Sequence, residues 1–116
     1  MAQYDQLAET ISQIMEDNKA LDIKTMNVTH LTDITDTMII CTATSDRHSK
    51  NIADKIITQL KEHGMKPFGT NGKDNGQWIL LDYTDVVVHI MLSEERAFYD
   101  LERLWSVTEN ARENTL

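Results

Sequence analysis

Apolar positions recur at three- and four-residue steps in two stretches of the chain, from Tyr4 to Met15 and from Ile52 to Leu60. Such spacing is typical of amphipathic helices that bury one side. Thr44 or Ser45 is placed to cap the start of the second helix. Gly64 is placed to end it, because glycine readily adopts the left-handed conformation that terminates helices.

Other stretches show the shorter apolar runs of β-strands, and they predict five strands over residues 21–28, 37–43, 65–68, 77–83 and 85–92. The run 37–43 is almost unbroken, which is typical of a central strand covered on both faces. The alternation in 21–28 is uneven and indicates a bulge. Pro67 lacks the ladder donor, so the strand 65–68 is expected at an edge.

Two further regions indicate local structure: the segment between the third and fourth strands, and the residues after the last strand. Residues 69–76 hold three of the four glycines and predict an exposed, mobile loop. A third helix, capped by Ser93, is expected after the last strand. Its buried side is expected to carry Phe98, Leu101, Leu104 and Trp105.

The element order is therefore α-β-β-α-β-β-β-α. It predicts an α/β (α+β) fold in which a mixed five-stranded sheet is flanked by helices. At 116 residues the chain fits a single domain. We place that domain at residues 1–106 and interpret residues 107–116 as a polar C-terminal tail.

Charge and composition narrow the classes of function. The formal net charge of −8, from 19 acidic and 11 basic residues, disfavours direct nucleic-acid binding, which depends on cationic side chains. A basic protein partner is the natural complement. No apolar run approaches the roughly 20 residues that cross a bilayer. The single cysteine, Cys41, suits a reducing compartment, so a cytoplasmic location is expected.

Candidate catalytic residues are few. The four histidines lack metal-ligand spacing, and His89, within a strand, is interpreted as packed and hydrogen-bonded. Cys41 lies in an apolar strand, where a thiol is inert. Asp82 and Asp85 flank a turn instead of standing two apart on one strand, so they are interpreted as turn formers, not as a clamp for divalent metals. We expect no metal, no cofactor and no catalysis.

The aromatic residues indicate a function in protein binding. Trp78, Leu80 and Asp82 share one face of their strand. Tyr99 and Arg103 lie partly off the buried side of the last helix. An exposed tryptophan beside tyrosine and arginine is the composition of a protein-interface hot spot. Spacing alone supports a core position for Trp78 and Tyr99 equally well.

Three sequence blocks, residues 34–48, 78–91 and 99–105, resemble the ribosomal silencing factor family (RsfS, also called Iojap or YbeB). The similarity runs from about residue 4 to residue 106 in one order and spacing. It implies a nucleotidyltransferase-like fold that lacks the catalytic carboxylates, and a homodimer. It also implies binding to the large ribosomal subunit through its fourteenth protein, which blocks subunit joining and represses translation when nutrients are scarce.

The resemblance also implies which residues bind the partner. Trp78 and Tyr99 match the family's partner-binding positions, and Asp82, Glu102 and Arg103 match nearby ones. Ser45, Arg47 and His48 match the family without a role that their types reveal. Two other functions stay open from the residues: a nucleotide-binding or nucleotidyltransferase-like enzyme, and a dimeric scaffold for a different client.

Overall fold

A computed structural model describes residues 3–28 and 36–101, with side chains from residue 6 onward. The described elements follow the predicted order: α1 (Gln3–Asp17), β1 (Leu21–Asn27), β2 (Thr37–Ala43), α2 (Asp46–Glu62), β3 (Gly69–Asn71), β4 (Trp78–Asp82), β5 (Val86–Leu92) and α3 (Ser93–Tyr99). The predicted mixed five-stranded sheet with flanking helices is confirmed.

The strands are arranged in the order β1-β2-β5-β4-β3. The two central strands, β2 and β5, run parallel, whereas every other neighbouring pair is antiparallel. All seven residues of β2 are buried, as its unbroken apolar sequence predicts. The register of β1 shifts between Leu21 and Lys24, which confirms the predicted bulge. The carboxyl ends of β2 and β5 therefore lie side by side, at Ala43 and Leu92.

Helices α1 and α2 pack on one face of the sheet and form the main core with it. Because side chains alternate along a strand, every second residue enters this core. The strand residues in it include Ile39, Cys41, Ile79, Leu81, Val88 and Ile90. Ser45 caps α2 by accepting a hydrogen bond from the His48 amide at 3.1 Å, and Gly64, at φ +79°, follows its end.

Helix α3 lies against the opposite face, at the carboxyl ends of the parallel strands. The guanidinium of Arg96 donates to the Asp22 carbonyl at 2.6 Å and to the Thr42 hydroxyl at 2.8 Å. Asp22 adopts a left-handed conformation, φ 48°, in the irregular part of β1. Arg96 thus ties α3 to both β1 and β2.

The edge strand differs from the predicted one. Residues 65–68 are not a strand; β3 begins at Gly69, and Phe68 is 84% exposed. Pairing starts only where the Phe68 amide donates to the Asp82 carbonyl at 2.6 Å, because Pro67, one residue earlier, has no amide hydrogen. The apolar composition of residues 65–68 therefore predicted the edge strand in the segment just before the one that forms it.

The prediction of an exposed loop over 69–76 is wrong in part. Its first three residues form β3, and Gly76 is buried against α2. Ser49 Oγ donates to the Gly76 carbonyl, and the ammonium of Lys73 lies 2.7 Å from the carboxylate of Asp54. A side chain at Gly76 would meet Asp46 at 2.8 Å, so this glycine serves close packing.

Two further predictions, both about helix α3, are wrong. Ser93 is its first residue and not its cap; Leu92 holds the cap position without a side-chain hydrogen bond. Phe98, predicted to be buried, is 72% exposed. The helix ends at Tyr99 because Asp100 turns left-handed, φ 45°, so the apolar spacing does not continue along one helical face. Leu104 and Trp105 lie outside the described residues.

Within the described ranges, no helix combines the length and the apolar character that a membrane crossing requires.

Candidate functional site

The position of Trp78 is set by the pairing of β4 with β5. Trp78 is opposite Met91, and Leu80 is opposite His89. Trp78 and His89 are therefore diagonal neighbours on the same face of the sheet, a separation that aromatic side chains can bridge. The face is the one that carries α3, since Thr42, bound by Arg96, also projects from it. Trp78 is only partly buried there.

Four rings form an aromatic cluster on this face: Trp78, His89, Phe98 and Tyr99. The ring centroids of Trp78 and Tyr99 are 4.7 Å apart, and those of Phe98 and Tyr99 are 5.0 Å apart in an edge-to-face arrangement. The centroids of Trp78 and His89 are 5.9 Å apart. Phe98 and Tyr99 are 72% and 52% exposed, so the cluster presents a large apolar surface to solvent.

An open groove of about 410 Å³ runs between the start of β4 and α3; its lining residues are Asn75, Gln77, Trp78, Glu94, Glu95, Phe98 and Tyr99. We call it the β4–α3 groove. Among the lining side chains that belong to residues 3–28 and 36–101, two are carboxylates and none is cationic. Aromatic faces beside carboxylates attract lysine and arginine side chains, through the ring quadrupole and through ion pairing. The groove suits a basic, partly apolar partner surface.

His89 is the buried member of the aromatic cluster. It is 6% exposed, and its Nδ1 accepts a hydrogen bond from the indole Nε1 of Trp78 at 3.0 Å. Burial lowers the pKa of His89 to about 4, because the charged imidazolium is poorly solvated there. The ring is therefore neutral at physiological pH and keeps the lone pair that the indole needs. The packed, hydrogen-bonded interpretation of His89 is confirmed.

The structure brings together two of the predicted partner-binding residues, Trp78 and Tyr99. Asp82 lies at the other end of β4, about 13 Å away at ~3.3 Å per residue. Its carboxylate accepts a hydrogen bond from the Thr84 amide at 2.8 Å, which confirms the turn-forming role. Glu102 and Arg103 lie outside the described residues.

Sequence reasoning missed Phe98, Glu94 and Glu95 as parts of this surface. The two glutamates open α3, a position where acidic residues are ordinarily explained by the helix dipole. Phe98 fitted the apolar spacing of a longer helix and was therefore predicted to be core. A signal was available in Phe98 and Tyr99 themselves: two adjacent rings on one helix cannot both face a single core.

Catalytic features are weak in the described part of the chain. No group of three or more histidine, cysteine, aspartate or glutamate side chains is arranged there to hold a metal. Cys41 is fully buried, and burial raises the pKa of its thiol to about 12, which keeps it protonated and unreactive. The interpretation of Cys41 as a core residue is confirmed.

The turn after β2 gains a structural role. The Thr44 amide donates to His48 Nδ1 at 3.0 Å, so the ring proton lies on Nε2, which donates to the Asn18 carbonyl at 2.9 Å. His48 thereby joins the start of α2 to the end of α1. Together with the Ser45 cap, this contact accounts for two of the three family-matching residues in the turn. The side chain of Arg47 is exposed, and nothing in the structure explains it.

Comparisons of the chain with known proteins agree on one family. The family described as "Ribosomal silencing factor during starvation" matches residues 1–116. The chain is 40% identical over 100 residues to "Ribosomal silencing factor RsfS" of Haemophilus influenzae, covering 86% of this chain and 98% of that one.

Two further relatives widen the comparison. A crystal structure of a Chromobacterium violaceum protein superposes with a TM-score of 0.87 at 35% identity, covering 90% of this chain and 88% of that one. The mouse "Mitochondrial assembly of ribosomal large subunit protein 1" is 28% identical over 102 residues, covering 85% of this chain and 45% of that protein. With the fold and the full-length family match in agreement, this chain belongs to the RsfS family of ribosomal silencing factors, which are regulators of translation.

Proposed function

We propose that this protein docks on the large ribosomal subunit through the subunit's fourteenth protein and sterically prevents the small subunit from joining. In this proposal it acts in the cytoplasm, catalyses no reaction, and lowers translation when nutrients are limiting. Trp78 and Tyr99 make the central contacts. Asp82, Glu102 and Arg103 remain candidates for its periphery.

The observation that carries the proposal is the aromatic cluster beside the β4–α3 groove. Three aromatic side chains that pack on one another, two of them more than half exposed, form an anchor of the kind found at interface centres. A monomeric surface seldom exposes such a patch without a binding role. The carboxylates of Glu94 and Glu95 at its side favour a basic partner.

The overall charge supports the same choice of partner. At −8, the protein is repelled by the phosphates of ribosomal RNA, yet it is attracted to the basic proteins embedded among them. This combination directs docking to a protein surface of the ribosome. The name of the mouse relative refers to the ribosomal large subunit, which favours that subunit as the particle bound.

The proposed mechanism depends on occupancy alone. A ribosomal subunit is silenced for the time during which the factor covers its joining surface, so the silenced fraction follows the ratio of free factor to Kd. Removing the factor restores joining, because no bond is made or broken.

Sedimentation with purified subunits tests the proposal. The purified protein is expected to sediment with large subunits and not with small ones, and to reduce the yield of joined ribosomes when added before the small subunit. Sedimentation with neither subunit would overturn the proposal. Analytical ultracentrifugation of the free protein separately tests the homodimer that the family resemblance implies.

Charge reversal in the groove gives a sharper prediction. The double variant Glu94→Lys, Glu95→Lys is expected to weaken binding to large subunits at least tenfold, because like charges then face a basic partner at close range. Part of the loss is expected in the association rate, which long-range attraction controls. The measurement is a binding titration at low and at physiological salt.

The matched control is Glu9→Lys, Glu16→Lys. Both glutamates are exposed on α1, which packs on the other face of the sheet, and the change in net charge is the same. This control is expected to reduce the association rate only slightly. Equal losses in the two double variants would mean that net charge, and not the groove, determines binding.

A further inference from the structure

Among the described residues, two polar side chains are buried on the face that carries α3: Thr42, whose hydroxyl Arg96 binds, and His89. His89 is 6% exposed, whereas its neighbours on this face include the fully buried Ile40 and Met91. An imidazole in such surroundings is disfavoured relative to an apolar side chain unless a hydrogen bond compensates for its burial. The contact with the indole of Trp78 is that hydrogen bond.

The geometry of this contact fixes the orientation of the indole. Trp78 Nε1 donates to His89 Nδ1 at 3.0 Å, and the two rings are inclined at 43°. On its other side the indole packs on Tyr99, with ring centroids 4.7 Å apart. A hydrogen bond and a ring contact together restrict the rotation of the Trp78 side chain more than either would alone.

We propose that His89 is a positioning residue for docking: its Nδ1 holds the indole of Trp78 in the orientation that the partner binds. This inference rests on the proposed function, because a positioning role has a meaning only if Trp78 binds a partner. His89 itself is buried and has little surface to offer that partner. The physical basis is preorganisation. A side chain that is already ordered in the free protein loses less conformational entropy when the partner binds.

A matched pair of substitutions isolates the acceptor atom. Asparagine at position 89 keeps an oxygen acceptor on Cγ, close to the place of Nδ1, whereas leucine has nearly the same shape and no acceptor. Neither replacement side chain reaches farther from the backbone than the imidazole does. His89→Leu is expected to remain folded, because the surroundings are apolar.

The first readout is the indole N–H resonance of Trp78 in a nitrogen–proton correlation spectrum. The chain has two tryptophans, so Trp105→Phe assigns the signal. In the original protein this proton is expected downfield and slow to exchange with solvent. His89→Leu is expected to move it upfield and to accelerate exchange, and His89→Asn is expected to restore most of the shift. An unchanged resonance in His89→Leu would overturn the proposal.

The second readout is binding to large ribosomal subunits. His89→Leu is expected to raise Kd about tenfold at most, the cost of ordering one interface side chain, and His89→Asn is expected to recover at least half of that loss. In a Trp78→Phe background, which lacks the indole donor, His89→Leu is expected to have no further effect. An equal loss in both backgrounds would mean that His89 acts through the fold and not through Trp78.

The outcomes separate this inference from the function on which it rests. If the unmodified protein does not bind large subunits, the proposed function fails, while the resonance still reports whether the hydrogen bond exists. If the unmodified protein binds, and His89→Leu binds equally well despite a shifted resonance, the positioning role is wrong and the docking function stands.

Discussion

Replacing Trp78 by alanine is expected to weaken binding to the large ribosomal subunit by about 2 kcal/mol, or about thirtyfold in Kd. The indole is the central ring of the aromatic cluster, in contact with both Tyr99 and His89. Its removal takes away the anchor and also leaves Tyr99 without a packing partner on that side. The measurement is a sedimentation or fluorescence titration against purified large subunits.

The domain is expected to remain folded, because Trp78 is only partly buried and lies outside the main core between the sheet and helices α1 and α2. Circular dichroism and a urea titration check this. Phe68→Ala is the matched control: Phe68 is 84% exposed and pairs beside Asp82, at the opposite end of β4. Equal binding by the two variants and the original protein would remove Trp78 from the interface.

The core of the fold was readily predicted from the sequence, for a physical reason. In β2 and β5 nearly every residue is apolar, and burial on both faces leaves few alternative arrangements for such strands. The helix α2 carried both a capping serine and a terminating glycine, Ser45 and Gly64. At these positions local preference and tertiary packing favour the same structure, and the prediction was correct.

The predictions failed where tertiary contacts decide the local structure. Pro67 and Phe68 have an apolar composition suited to a strand, but the pairing partner, β4, meets the chain only from Phe68 onward. The glycine-rich sequence of 69–76 indicated an exposed loop, yet Gly76 is buried and lets α2 approach closely. Composition alone cannot separate a glycine that permits motion from one that permits contact.

The candidate site could be predicted only in part. The residue types at positions 78 and 99 indicated a hot spot, but spacing could not decide between core and surface. That decision depends on where α3 ends and on how Arg96 ties it to Asp22 and Thr42, contacts between segments far apart in sequence. The groove and the hydrogen bond from Trp78 to His89 follow from the register of β4 and β5, which the sequence did not specify.

Gly72 is expected to affect both the stability of the fold and the position of Trp78 in the site. At φ +82° it adopts a conformation that costs an alanine roughly 1–2 kcal/mol. A Cβ atom there would also overlap the carbonyl oxygen of Trp78 and lie 3.1 Å from its carbonyl carbon. Because both of these atoms belong to the backbone, no side-chain rotation can relieve the overlap. Gly72→Ala is therefore expected to destabilise the domain by about 3 kcal/mol or more.

Two other glycines of the same chain separate the causes of this loss. At Gly64, φ +79°, a Cβ atom would have no neighbour within 4 Å, so Gly64→Ala isolates the conformational cost and is expected to lose about 1 kcal/mol. Gly69 has neither a positive φ nor a close neighbour, so Gly69→Ala is expected to change stability by at most about 0.5 kcal/mol. Urea unfolding of the three variants gives the order of their stability losses directly.

A stability loss in Gly72→Ala no larger than that in Gly64→Ala would show that the contact with Trp78 is relieved at no cost. A second measurement is the binding of folded Gly72→Ala protein to large subunits. If the stability order holds and this binding is weaker, the backbone of Trp78 has moved. Gly72 then determines where the docking tryptophan lies.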